Sequence, residues 1–132
     1  MKVASRIVTG LFALLFLLSG VRWIADPAGA AASLGMDLLT GLGASTQIGD
    51  IGAFFISGAA MLAWALRPGQ AAWIYPPAIM VAAAAVMRTL AWTAGHADLA
   101  TPAIAFEIVM AALLVGAAHL RADEGLRAGQ GE

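Results

Sequence analysis

The chain has 132 residues, 61% of them hydrophobic and 11% charged, with a net charge of −1. Soluble domains carry about 25% charged residues and much less apolar surface, so this composition excludes a water-soluble fold and indicates a one-domain integral membrane protein. The near-neutral charge and the lack of a basic patch speak against a nucleic-acid partner, and the absence of cysteine excludes disulfides, thiolate metal sites and cysteine nucleophiles.

Four apolar blocks follow one another, and each is close to the roughly 20 residues that a helix needs to cross a bilayer. None alternates with period two as a barrel strand would, which leaves helices as the way to satisfy the backbone in lipid. The expected fold is therefore an all-α four-helix transmembrane bundle filling residues 1–122, with helices at about 5–25, 46–66, 71–94 and 102–121. The first block begins after Lys2 and Arg6. It has the outline of a signal peptide, with Ala28-Gly29-Ala30 as a cleavage site, but its length and the intervening Arg22-Trp23 favour an uncleaved first helix.

Asp26-Pro27 has the form of a helix cap followed by a first-turn proline. The segment 27–40 after it is too short to span, and we expect an interfacial helix or re-entrant piece anchored by Leu34, Met36, Leu38 and Leu39. Gly41 and Gly43 lead into the second span, where Ser45 or Thr46 is the expected cap. Ser45, Gly49, Ala53 and Ser57 form a small-residue stripe along that span, and Ala112 and Gly116 repeat it on the fourth, so both are expected to be packing faces. Arg67-Pro68-Gly69 breaks the chain before the third span. Pro76 and Pro77 place either the true start of that helix or a kink. Thr101-Pro102 should open the fourth span, and the glycine-rich tail 123–132 is expected to be a flexible cytoplasmic extension.

If the helices alternate, Lys2, Arg6, Arg67, Arg121 and Arg127 share one side with both termini, and the positive-inside rule makes that side cytoplasmic. Trp64, Trp73 and Tyr75 would line the inner interface, and Trp23 and Trp92 the outer one. Each span also carries one ionisable residue towards its outer end: Arg22, Asp50, Arg88 and Glu107. At 1.5 Å per residue they fall within about 4–10 Å of the outer helix ends, forming one charge-balanced layer to which Gln47 and Thr89 add neutral polar groups. Charges inside a membrane normally face the bundle and pair. The expected pair is Arg88 with Glu107, on helices joined by a short loop, and Arg22 with Asp50 is a second candidate. Against this stand the helix dipoles, which all four charges suit, and snorkelling. Snorkelling is the favoured reading of Arg22, because Leu11, Leu15 and Leu18 share its face.

His96 and His119 fall at opposite ends, and no metal-ligand cluster, catalytic triad or phosphate loop occurs, so neither a metal nor a cofactor is expected. Three function classes remain. The first is a non-catalytic bundle that binds a lipid-like or quinone-like ligand, or a partner membrane protein or second copy, beside the outer polar layer. The second is a membrane enzyme with Asp50 or Glu107 as general acid/base, which requires an acid not engaged by arginine and facing a pocket. The third, proton- or ion-coupled transport, ranks last, because the inner half of the spans has no ionisable group except His119 at its edge.

The first span, RIVTGLFALLFLLSGVRWIADP, resembles the opening of the DoxX-like superfamily of small four-helix bacterial membrane proteins. In order, STQIGDIGAFF, WIYPP, MRTLAW and AFEIV resemble more closely an uncharacterised branch of that type, a domain of unknown function. The resemblance runs over about residues 6–120 and implies a four-helix bundle in the bacterial inner membrane. Asp50, Tyr75, Pro76, Arg88 and Glu107 match motif positions of that branch, which have no assigned roles. Some DoxX-like proteins are linked to quinone-dependent sulfur oxidation or redox-stress complexes. No residue here carries that chemistry over, so the resemblance transfers a fold and not an activity.

Overall fold

The computed structural model describes the backbone of residues 2–129 and the side chains of residues 3–121. It consists of helices α1 (Lys2–Ala25), α2 (Pro27–Ser33), α3 (Gly41–Ala65), α4 (Tyr75–Thr93) and α5 (Thr101–Gly129), with one 3-10 turn (Ala71–Ile74) running into α4. Four segments are long and apolar enough to cross a membrane: Val3–Ala25, Gly41–Ala65, Ala71–Thr93 and Thr101–Arg121. The chain is a four-helix transmembrane bundle.

The spans form two hairpins. α1 packs chiefly on α3, and α4 on α5, while α3 and α4 touch little. At the end carrying both termini, the hairpins are drawn together by the turn after α3, where Gly69 takes φ +74 and Arg67 accepts from the Gln70 N–H. The core concentrates there, around Leu62, Ala65, Ile74, Leu114, Ala117 and Ala118. Ser5 Oγ, buried, donates to the Ala117 carbonyl and ties α1 to α5. At the opposite, loop end, both connections lie within a hairpin and no covalent link joins one hairpin to the other, so the helices are free to separate.

Several local expectations are corrected. The segment after Asp26 is helical only to Ser33; Asp26 caps it as expected, accepting from the Gly29 N–H with Pro27 in the first turn. Leu34, Met36 and Leu38 do not serve as outward anchors. They pack inward beside Trp23, Ala30 and Ala31, and only Leu39 of the four stays exposed. Trp23 is accordingly 1% exposed instead of lining an interface. α3 starts five residues earlier than expected, after the positive φ of Gly41, so Ser45 and Thr46 lie inside the helix and Thr46 donates back to the Leu42 carbonyl. The third span resolves its prolines by beginning α4 at Tyr75, with Pro76 and Pro77 in a turn whose amides need no helical partner. α5 continues through Gly129, so the backbone of 123–129 is helical; residues 130–132 lie outside the described residues.

The small-residue stripes are also placed differently. Ser45, Gly49, Ala53, Ala112 and Gly116 are exposed on the outside of the bundle. The close helix contact uses other glycines. A Cβ at Gly58 would run into the buried Phe16 ring, and one at Gly20 would meet Ile56 Cδ1 at 2.6 Å. The α1–α3 spacing is thus set by Gly20 and Gly58, which do not lie on either stripe.

Candidate functional site

Where the hairpins separate, they enclose an open cavity of about 830 Å³ between α1, α3, α4, α5 and the segment after α2. Its walls are mainly apolar. Phe16, Phe54 and Phe55 form a mutually contacting cluster, with centroids 5.3–5.9 Å apart, and together with Val81, Phe106 and Met110 they line the cavity. Phe16, Val81 and Met110 also belong to the bundle core, so these residues separate the cavity from the packed terminal half. Leu34 and Met36 line it from the capping segment, and Ala100, Pro102 and Ala103 from the start of α5.

Three charged side chains line the same cavity: Asp50, Arg88 and Glu107. Arg88 lies five residues before the end of α4 and Glu107 six residues into α5, which places both about 7–9 Å from the loop end along their helices. Arg88 Nε donates to Glu107 Oε1 at 2.9 Å, and the side chains are 35% and 13% exposed respectively. The expected pair is therefore present. It uses a single N–H of the guanidinium: neither Nη of Arg88 has a hydrogen-bond partner among the described residues. Glu107 Oε2 is buried and has no hydrogen-bond partner among the described residues. Asp50 is exposed, lines the cavity from α3, and makes no ion pair or hydrogen bond among the described residues.

The other predicted residues stand apart. Arg22 does not reach Asp50. Its Nη2 lies 3.4 Å from Asp26 Oδ2, one helical turn away, a partner that costs far less chain ordering than one on another helix. Leu11, Leu15 and Leu18 on its face are exposed as expected. Gln47 acts as a clamp on the capping segment. Its Oε1 accepts from the Leu39 N–H at 3.0 Å, and its Nε2 donates to the Asp37 carbonyl and to Met36 Sδ. Thr89 donates to the Ala85 carbonyl and faces a separate groove on the outside of α4 and α5. The layer of four charges thus resolves into one cavity-lining set of three and one local pair.

No family model, curated protein or solved structure matches the chain. The site is accordingly read from its own chemistry. Among the described residues, no three His, Cys, Asp or Glu side chains gather as metal ligands. The cavity combines a guanidinium with unused donors, an unengaged carboxylate and aromatic walls. That arrangement can hold an amphiphile by its tail and its polar head at once. Sequence reasoning missed the lining from Phe16, Leu34, Met36, Phe54 and Phe55. The Phe54-Phe55 pair is visible as a doublet, but nothing in the order of residues shows that it meets Phe16.

Proposed function

We propose that this protein is a DoxX-like bundle of the bacterial inner membrane that binds, without transforming it, a lipid-like or quinone-like amphiphile in the cavity between its hairpins. The observation that carries this reading is the cavity itself. It is apolar along most of its wall and carries, at Arg88, Glu107 and Asp50, hydrogen-bonding capacity that no described residue takes up. Both termini face the cytoplasm in this proposal. It is supported by the meeting of Arg6, Arg67 and Arg121 at the terminal end, where Arg6 and Arg121 donate to the Leu66 and Arg67 carbonyls.

The test is copurification in mild detergent followed by mass spectrometry of the extracted amphiphiles. One species should be enriched over the bulk membrane extract and lost from an Ala103→Trp variant, whose added ring occupies the cavity. Extracts matching the bulk membrane in both proteins would end the proposal.

A second reading, catalysis on an apolar substrate, is favoured by one observation: Asp50 is an acid on the cavity wall that no arginine engages among the described residues. In that case the retained species would change mass on incubation with the wild-type protein and stay unchanged with Asp50→Asn.

A further inference from the structure

The polar groups on the cavity wall ask for two opposite things of an occupant. Arg88 spends only its Nε on Glu107, and its four Nη hydrogens, which meet no acceptor among the described residues, form a fork suited to an oxyanion. Asp50, on the facing hairpin, offers two carboxylate oxygens without a donor. Glu107 Oε2 adds a buried oxygen that also lacks a donor. With one arginine and two acids, the set carries a net charge of −1 (one positive minus two negative). A headgroup that is only anionic would raise that to −2 and leave Asp50 unmatched. A headgroup that accepts hydrogen bonds and has none to give would likewise serve Arg88 alone.

We infer that the cavity selects a zwitterionic amphiphile with a phosphate-type oxyanion for Arg88 and a primary ammonium for Asp50, which is the headgroup of an aminophospholipid. The ammonium must carry N–H groups, because a hydrogen bond to an ionised carboxylate adds to the Coulomb attraction that a fully methylated head would retain. The acyl chains then lie along Phe54, Phe106 and Met110. This inference rests on the amphiphile-binding reading above and adds the chemistry of the head.

The experiment is native mass spectrometry of the full chain released from nanodiscs of defined composition. Equimolar phosphatidylethanolamine, phosphatidylglycerol and phosphatidylcholine with identical acyl chains compete for the retained position. The ethanolamine lipid should be retained over each of the others by about tenfold, the size of one charge-assisted hydrogen bond. Asp50→Asn, an exposed position where a near-isosteric change spares the fold, should bring ethanolamine and glycerol heads to equal retention while keeping the total bound. Ala103→Trp should abolish retention of all three. Equal retention of the three lipids by the wild-type chain, or an ethanolamine preference that survives in Asp50→Asn, overturns the headgroup assignment and leaves the cavity reading standing. Absence of retained lipid, or retention unchanged in Ala103→Trp, overturns the headgroup assignment together with the lipid-like form of the cavity reading.

Discussion

At the scale of single residues, environment decides role more than residue type does. Gly58 and Gly116 are both mid-helix glycines in transmembrane spans. A Cβ at Gly58 collides with the buried Phe16 ring, whereas one at Gly116 meets nothing within 4 Å. Gly58→Val should therefore lower stability by about 1–3 kcal/mol through overpacking, and Gly116→Ala should leave it unchanged or slightly raised. Thermal unfolding of both variants in one detergent checks the contrast. The same logic orders the ion pair. Glu107 is the more deeply buried partner, so Arg88→Ala leaves a buried charge uncompensated, while Glu107→Gln leaves a half-exposed guanidinium with a hydrogen-bonding neighbour. Arg88→Ala should be the more damaging of the two by about 1–2 kcal/mol, below the cost of breaking a fully buried pair because Arg88 is only partly buried. Matching melting temperatures for the two variants would contradict this order. Asp50 and Arg22 are equally plain as charges in the sequence. One ends on a cavity wall and the other beside Asp26, and that difference comes from neighbours supplied by distant or local chain, not from the residues themselves.

At the scale of elements, α2 shows how seven residues become a fixed part of the structure. A helix so short does not hold itself together in isolation. Its order comes from the Asp26 cap, from Pro27, from the burial of Ala30 and Ala31 against Trp23, and from the clamp that Gln47 places on residues 36–39. Asp26→Ala should cost about 1 kcal/mol and speed hydrogen exchange at the Gly29 amide while leaving the four spans protected. Because Leu34 and Met36 line the cavity, the same variant should weaken amphiphile retention although Asp26 itself lies outside the cavity lining. The four spans were legible in the sequence from length and hydropathy alone, as were the Asp26 cap and the break at Arg67-Pro68-Gly69. The start of α3 was not, because the cap residue chosen from type alone, Ser45 or Thr46, competes with a glycine turn whose only mark is a positive φ at Gly41. The inward turn of Leu34, Met36 and Leu38 was not legible either: an apolar side chain fits a lipid surface and a protein core equally well, and the choice depends on Trp23 being there to receive it.

At the scale of the whole molecule, the bundle is packed at its terminal end and open at its loop end. The terminal half holds the buried hydroxyls of Ser5 and Thr9, both donating to backbone carbonyls, and among the described residues its buried core carries no ionisable side chain. Exchange at the core amides of Leu62, Ile74 and Leu114 should be slower than at the segments 34–40 and 94–100, and a bound amphiphile should slow the second group selectively. The natural lack of cysteine makes orientation easy to read. With both termini cytoplasmic, Asp98→Cys should react with an impermeant maleimide on intact spheroplasts, and Pro68→Cys only after permeabilisation; the reverse pattern would invert the proposed topology.

From the order of residues alone it follows that this chain lives in lipid, that it crosses four times, and that Glu107 is the expected partner of Arg88. All three follow from local quantities: span length, the cost of exposed backbone in hydrocarbon, and the short connection between neighbouring helices. The folded arrangement alone settles that Asp50 faces that pair from the other hairpin, that Arg22 does not line the cavity, and that four phenylalanines line the space between the hairpins. Those outcomes depend on how far the two hairpins part at the end where no connection joins them. That spacing is set by side-chain packing at the other end, among residues far apart in the chain.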